Sequence, residues 1–260
     1  MMFHNNKPVF AGGVVLKAKM LDNISKYARD MFDILYDRYT DGILSGVRVC
    51  IEDRATIRVT KGIIKFKGEL YHMDNDTCIN VYPNRETQYL RVRFLEKEMK
   101  IDEEKLETFF VLDTEETKDD NEIEICRFIL NEGAILRNDY TDLRDYATIH
   151  NTVNTLETKY SAIDKPTFNP GFLLEFGRTM RGYNLTNVED VVFITECIKE
   201  ENIKRELIES YISKRLGEQN RSYTNQEIYR KLIEISEVAK RGESGNGMQG
   251  RMPVRRMIVD

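Results

Sequence analysis

"ICRFILNEGAILRNDYTDL", residues 125–143, is where the sequence changes character. Its first half alternates with the period of two that sends successive side chains to opposite faces of a strand. The alternation breaks at Asn131-Glu132-Gly133, resumes with Ala134-Ile135-Leu136, and turns polar at Arg137-Asn138-Asp139. Upstream of this seam the chain reads as strands, and downstream as helices. A glycine permits left-handed backbone, so Gly133 is the candidate hinge. The strand ending near Leu130 is expected to anchor a sheet, and "AILR" to pack beneath the first helix that follows.

Working backward from the seam, residues 46–131 hold seven or eight short strand-like runs. They include "GVRVCIE", "ATIRVTKG", "CINVYP", "ETFFVLDT" and "TQYLRVRFLEKEMK", with two more in "IIKFKGELYHM" around Lys67-Gly68. Runs spaced this regularly predict an antiparallel β-sandwich or small barrel. In "TQYLRVRF" Leu90, Val92 and Phe94 alternate with Arg91 and Arg93, which implies one buried face and one wet face. Between Glu96 and Glu124, thirteen Asp/Glu against four Lys/Arg leave an excess of nine negative charges, centred on the loop "DTEETKDDNE". That loop lacks the ligand spacing and central glycine of an EF-hand, so no metal site is assigned.

Ahead of the strands, Gly12-Gly13 marks a turn. Leu21, Ile24, Ala28, Met31 and Leu35 then recur at spacings of 3, 4, 3 and 4, an apolar stripe on a helix. Tyr27, Phe32, Ile34 and Tyr36 widen it. Leu21, Ile24, Met31 and Leu35 are candidate partner-binding residues.

Downstream, Leu143, Tyr146, Ile149, Val153 and Leu156 repeat at helical spacing and predict a helix through "DLRDYATIHNTVNTLETKY". Four more follow. One has Pro166 and Pro170 at its entry with Thr167 and Asn169 as possible caps, and one runs through "NVEDVVFITECIKEE". The next ends at Gly217. The last starts with Thr224 and Glu227 at capping-box spacing and stops at Gly242. Beyond it, "ESGNGMQGRMPVRRMIVD" interleaves Arg251, Arg255 and Arg256 with Met252, Val254 and Met257. These six residues are candidates for a segment that orders on a partner, for example by adding a strand to its sheet.

The fold class is therefore α+β: an N-terminal arm and amphipathic helix (1–45), an antiparallel β domain (46–137), a C-terminal helical bundle (138–242) and a tail (243–260). At 260 residues and 41% hydrophobic the chain can build substantial cores. A net charge of −5 argues against a general nucleic-acid binder. No apolar run has the length of a membrane span, and the N-terminus has no signal-peptide pattern, so synthesis in the cytoplasm is expected. Cys50, Cys78, Cys126 and Cys197 form no CxxC pair and are read as small buried hydrophobes in a reducing compartment. His4, His72 and His150 are scattered. No GxGxxG, Walker loop, GxSxG or HExxH occurs, and no cofactor or catalytic residue is assigned.

"ATIRVTKGIIKFKGELYHM" is similar to a strand, glycine turn and strand pattern common in phage and prophage tail proteins. "EIEICRFILNEGAILRNDYTDLRDY" resembles the sheet-to-helix junction of baseplate or fibre-attachment proteins, as in the contractile phage-tail-like bacteriocins of Gram-positive bacteria. The resemblance spans residues 40–150. It implies a structural, non-enzymatic baseplate component that bridges neighbouring proteins or receptor-binding fibres, repeated in a symmetric ring. It also implies assembly into a particle released by lysis. Two other readings are weighed against it: a glycan- or receptor-binding module using Tyr71, Tyr82 and Tyr89 as a platform, and a tail-associated hydrolase.

Overall fold

The computed structural model describes residues 8, 10–13, 15–99, 104–116, 119–199 and 202–242. The candidate segment containing Arg251, Met252, Val254, Arg255, Arg256 and Met257 lies outside the described residues. The chain divides into two compact units, residues 1–39 and 40–260.

The first unit holds one helix, α1 (Ala18–Tyr36), over the stretch predicted from the 3-4-3-4 stripe. The second begins with strands β1 (Gly42–Gly46), β2 (Val49–Asp53), β3 (Thr56–Val59), β4 (Gly62–Phe66), β5 (Glu69–Met73) and β6 (Thr77–Asn80). It continues with β7 (Thr87–Phe94), β8 (Glu98–Met99), β9 (Glu104–Lys105), β10 (Thr108–Asp113) and β11 (Glu122–Ile129). Pairing is antiparallel, in three three-stranded sheets ordered β1-β4-β5, β2-β3-β6 and β10-β7-β11, plus the β8-β9 ribbon.

One apolar core joins the three sheets. Its members include Ile43, Ile57, Val59, Leu90, Ile125 and Phe128, with Phe66 stacked on Phe94 at 3.9 Å between ring centroids. A bulge between Glu124 and Cys126 shifts the β11–β7 register. The extra residue lets neighbouring Ile125 and Cys126 both be buried. Where the end of β1 pairs with the start of β4 the two chain segments approach so closely that only glycine fits. A Cβ on Gly46 would meet the Lys61 carbonyl oxygen at 2.1 Å, and one on Gly62 would meet the Ser45 oxygen at 2.4 Å.

Helices α2 (Pro170–Arg181), α3 (Val188–Ile198), α4 (Arg205–Leu216) and α5 (Asn225–Lys240) follow, at the positions the sequence predicts. The Asn169 side chain caps α2, accepting from the Phe172 amide at 3.1 Å. Gly217 closes α4 in left-handed conformation, and Thr224 and Glu227 form the reciprocal capping box of α5. These helices share a second core that includes Phe168, Phe172, Phe176, Ile208, Leu232 and Ile235. Inside it, the Arg215 guanidinium reaches Asp190 at 3.0 Å, and the Tyr211 hydroxyl donates to the same carboxylate at 2.8 Å.

The predicted helix through residues 143–156 does not form; a single 3-10 turn at Asp145–Ala147 is its only helical part. Thr148, Ile149, Thr152, Val153 and Thr155 are β-branched, which disfavours helix and favours extended backbone. The segment spends its backbone groups on β11 and the seam instead. Asn154 and Arg127 exchange both N–H···O bonds, at 2.8 and 2.9 Å, and the Asn151 amide donates to the Ile129 carbonyl. Five expected helices after the seam therefore become four α-helices and one extended segment.

Candidate functional site

In α1 the candidate residues Leu21, Ile24, Met31 and Leu35 are 43% to 65% exposed, and the helix has no buried residue. All six of its charged residues, Lys19, Asp22, Lys26, Arg29, Asp30 and Asp33, fall on the face away from this stripe. Phe32, Tyr27 and Ile34 flank the stripe where a two-stranded coiled coil would place charges. The helix has no side-chain N-cap, no acidic residue in its first turn and no basic residue in its last. A helix of 19 residues without caps or burial is marginal in water, because most helical stability in proteins comes from packing an apolar face.

The seam is built differently from the sequence expectation. Gly133 has φ of +77° in a turn closed by the Ala134 amide on the Asn131 carbonyl at 3.1 Å, so the chain does bend there. "AILR" has no following helix to pack beneath, because the helix expected over 143–156 does not form. Leu136 joins the β core and Ile135 is 51% exposed, because the turn swings residues 134–136 back over the sheets. Beyond the turn, Arg137 grips Asp145 with two bonds of 2.6 and 2.8 Å. That guanidinium holds the Asp145 carboxyl well below the usual carboxylate range. The Asn138 side chain donates to the Val49 carbonyl at 2.7 Å, and the Tyr140 hydroxyl to the Val153 carbonyl at 2.8 Å. Burial pushes the Tyr140 hydroxyl up.

Within the second unit these groups border a cleft of about 510 Å³. Strand β1 and the β1–β2 turn form one wall, with Ile43, Leu44 and Arg48. Asn169, Gly171 and Arg178, from the α2 cap to its last turn, form the other, and Tyr140, Tyr146 and Tyr160 complete the lining. Among the described residues no Asp or Glu lines it. Sequence reading missed this cleft because its residues come from five separate stretches between 43 and 202, and no local pattern links them.

The remaining sequence candidates are dispersed. Cys126 and Cys197 are buried as expected, and burial pushes the Cys197 thiol up to about 12. Cys78 is exposed and Cys50 half-buried, because these positions on β6 and β2 lie outside the core. His72 and His150 are exposed, and no group of three metal-ligating side chains occurs among the described residues. The aromatic platform does not assemble. Tyr89 is buried with Arg127 over its ring at 5.0 Å, Tyr71 packs edge-on against Phe94, and Tyr82 stands exposed by itself. No helix among the described residues is long and apolar enough to cross a membrane.

No known protein family matches the sequence, and no curated protein matches it. Solved structures do. A chain of the TssK-TssF-TssG baseplate subcomplex of the type VI secretion system is similar over 93% of this chain and 100% of its own, at 10% identity and a TM-score of 0.41. TssK in a crystal structure is similar over 92% and 69%, at 9% identity and 0.38. A chain of the type VI secretion baseplate complex is similar over 89% and 68%, at 11% identity and 0.39.

Proposed function

We propose that this protein is a structural component of the baseplate of a phage tail-like contractile particle, bridging the baseplate to neighbouring proteins or receptor-binding fibres. The observation that carries the reading is α1, whose broad apolar face is exposed along its whole length while its charges are gathered on the opposite side. Such a face is stable only when covered, and large obligate interfaces resemble a domain core cut in half. The strand and helix patterns around residues 40–150 that resemble tail proteins supply the context. In this reading α1 is the element that joins the two-core unit to repeated copies in a ring. The protein acts by holding neighbours, without catalysis. It is made in the cytoplasm and leaves the cell in the particle at lysis.

The test is to induce the producing cells, fractionate the lysate on a density gradient and probe for the protein. Co-migration with very large particles, resistant to a salt wash, is the expected result. Recovery only as a small soluble species would overturn the assignment.

A further inference from the structure

The cleft beside the seam differs chemically from the α1 face. On a chain carrying a net charge of −5, its walls hold two arginines and, among the described residues, no carboxylate. The Arg178 guanidinium lies 3.8 Å from Glu175, one turn below it on α2. The Arg48 guanidinium has no hydrogen-bond or ion-pair partner among the described residues. The hydroxyl of Tyr160, which lines the same cleft, has none either.

Backbone geometry fixes where Arg48 stands. Its neighbour Val47 has φ of +52°, a left-handed conformation that is a true outlier for a β-branched residue. Gly46 before it is left-handed too, at +68°. The reversal buries Val47 at 5% exposure in the β core and leaves Arg48 at the cleft. The Arg48 backbone is then pinned on both sides, its amide donating to the Thr60 hydroxyl at 3.0 Å and its carbonyl accepting from the Thr60 amide at 2.9 Å. Strained backbone of this kind concentrates at ligand-holding sites.

We infer that the cleft takes an acidic, apolar-flanked peptide segment of a partner protein, whose carboxylate is held by Arg48 and whose apolar side chain lies against Ile43, Leu44 and Leu174. A guanidinium fork matches a planar carboxylate in two parallel bonds. The apolar and tyrosine surface gives no reward to an isolated anion but does to a neighbouring hydrophobic side chain. The Tyr160 hydroxyl and the unclaimed Asn138 amide oxygen are placed to meet the peptide backbone. The inference stands on the cleft alone and does not depend on the baseplate reading.

A fluorescein-labelled peptide of alternating leucine and glutamate, and its leucine–lysine counterpart, test it by polarisation with the full-length protein. The glutamate peptide is expected to bind and the lysine peptide not to. Arg48→Glu should weaken binding by at least about tenfold, as should added salt. Arg48→Gln, which keeps length and removes charge, serves as the second variant, and both should melt like the parent because the side chain is exposed. Equal binding of the two peptides, binding indifferent to both Arg48 variants, or no binding of the glutamate peptide would overturn the inference. So would displacement of the peptide by inorganic phosphate at matched charge, since that would mark a site for a bare anion.

Discussion

Arg137 and Asp145 show how much of the seam rests on one pair of side chains. Two short bonds hold them, and the Thr141 amide adds a third to the same carboxylate at 3.0 Å. The Asp145 carboxyl therefore titrates below its ordinary value of 3.8. A carboxyl depressed by folding favours the folded state above its unfolded pKa, and that contribution is lost as pH falls through the lower folded value. Asp145→Asn should accordingly lower Tm near neutrality, and the gap to the parent should narrow as pH drops below about 4. Thermal melts of both proteins between pH 7 and 2.5 check this; a gap constant over the range would show that the carboxylate charge does not matter. At the same scale Arg91 and Glu122 mark a limit of sequence reading. Alternation assigned Arg91 to a wet face, yet Arg91 is 2% exposed and the Glu122 side chain fully buried. Arg91 meets Glu122 at 3.2 Å, Arg93 donates to the same carboxylate at 2.5 Å, and Asp113 holds the other end of Arg91. Period-two alternation tells which side of the strand a residue occupies; it carries no information on whether charges across three strands will neutralise one another and be enclosed.

At the scale of elements, legibility follows the presence of local punctuation. Helices α2, α4 and α5 carried Asn169-Pro170, Gly217 and Thr224 with Glu227, and each cap works as its chemistry requires. Residues 143–156 carried a helical period but no cap, and their β-branched residues found a sheet edge. The five apolar residues at 3-3-4-3 spacing do not share one face: Leu143, Tyr146 and Leu156 entered the helical core, Val153 the β core, and Ile149 neither. The turn at the end of β11 was legible through Gly133, which is left-handed as the bend demanded. An added Cβ there would meet nothing within 4 Å, so the cost of a side chain is purely that of the backbone. Gly133→Val should destabilise the protein by about 1–2 kcal/mol, the penalty of a left-handed non-glycine residue. Gly133→Asn should cost less, because asparagine tolerates that conformation. Urea denaturation distinguishes them, and a valine variant as stable as the parent would mean the turn can relax to another conformation and does not set the bend.

For the whole molecule the telling feature is the contrast between two units built by opposite rules. Unit 40–260 builds two apolar cores, whereas α1 in unit 1–39 has no buried residue. The stripe in α1 was legible from spacing, but spacing alone could not say whether the chain itself would cover it. An apolar stripe of heptad spacing flanked by further apolar residues is self-complementary, because knobs at Leu21, Ile24, Met31 and Leu35 fit holes on another copy of the same helix. Flanking by Tyr27, Phe32 and Ile34 leaves surface that a single partner helix would not cover, which favours more than two strands. Purified protein should therefore sediment as an oligomer whose population rises with concentration. Ile24→Asp with Met31→Asp would place charges in the middle of the seam and should yield a monomer. The Tm of the remaining fold should barely change, since α1 has no buried residue. Sedimentation velocity on both proteins, paired with thermal melts, separates the alternatives. A parent that stays monomeric at tens of micromolar would mean that the face is reserved for a different protein. A double variant that loses its main melting transition would mean instead that α1 supports unit 40–260, and that its apolar face is part of the fold.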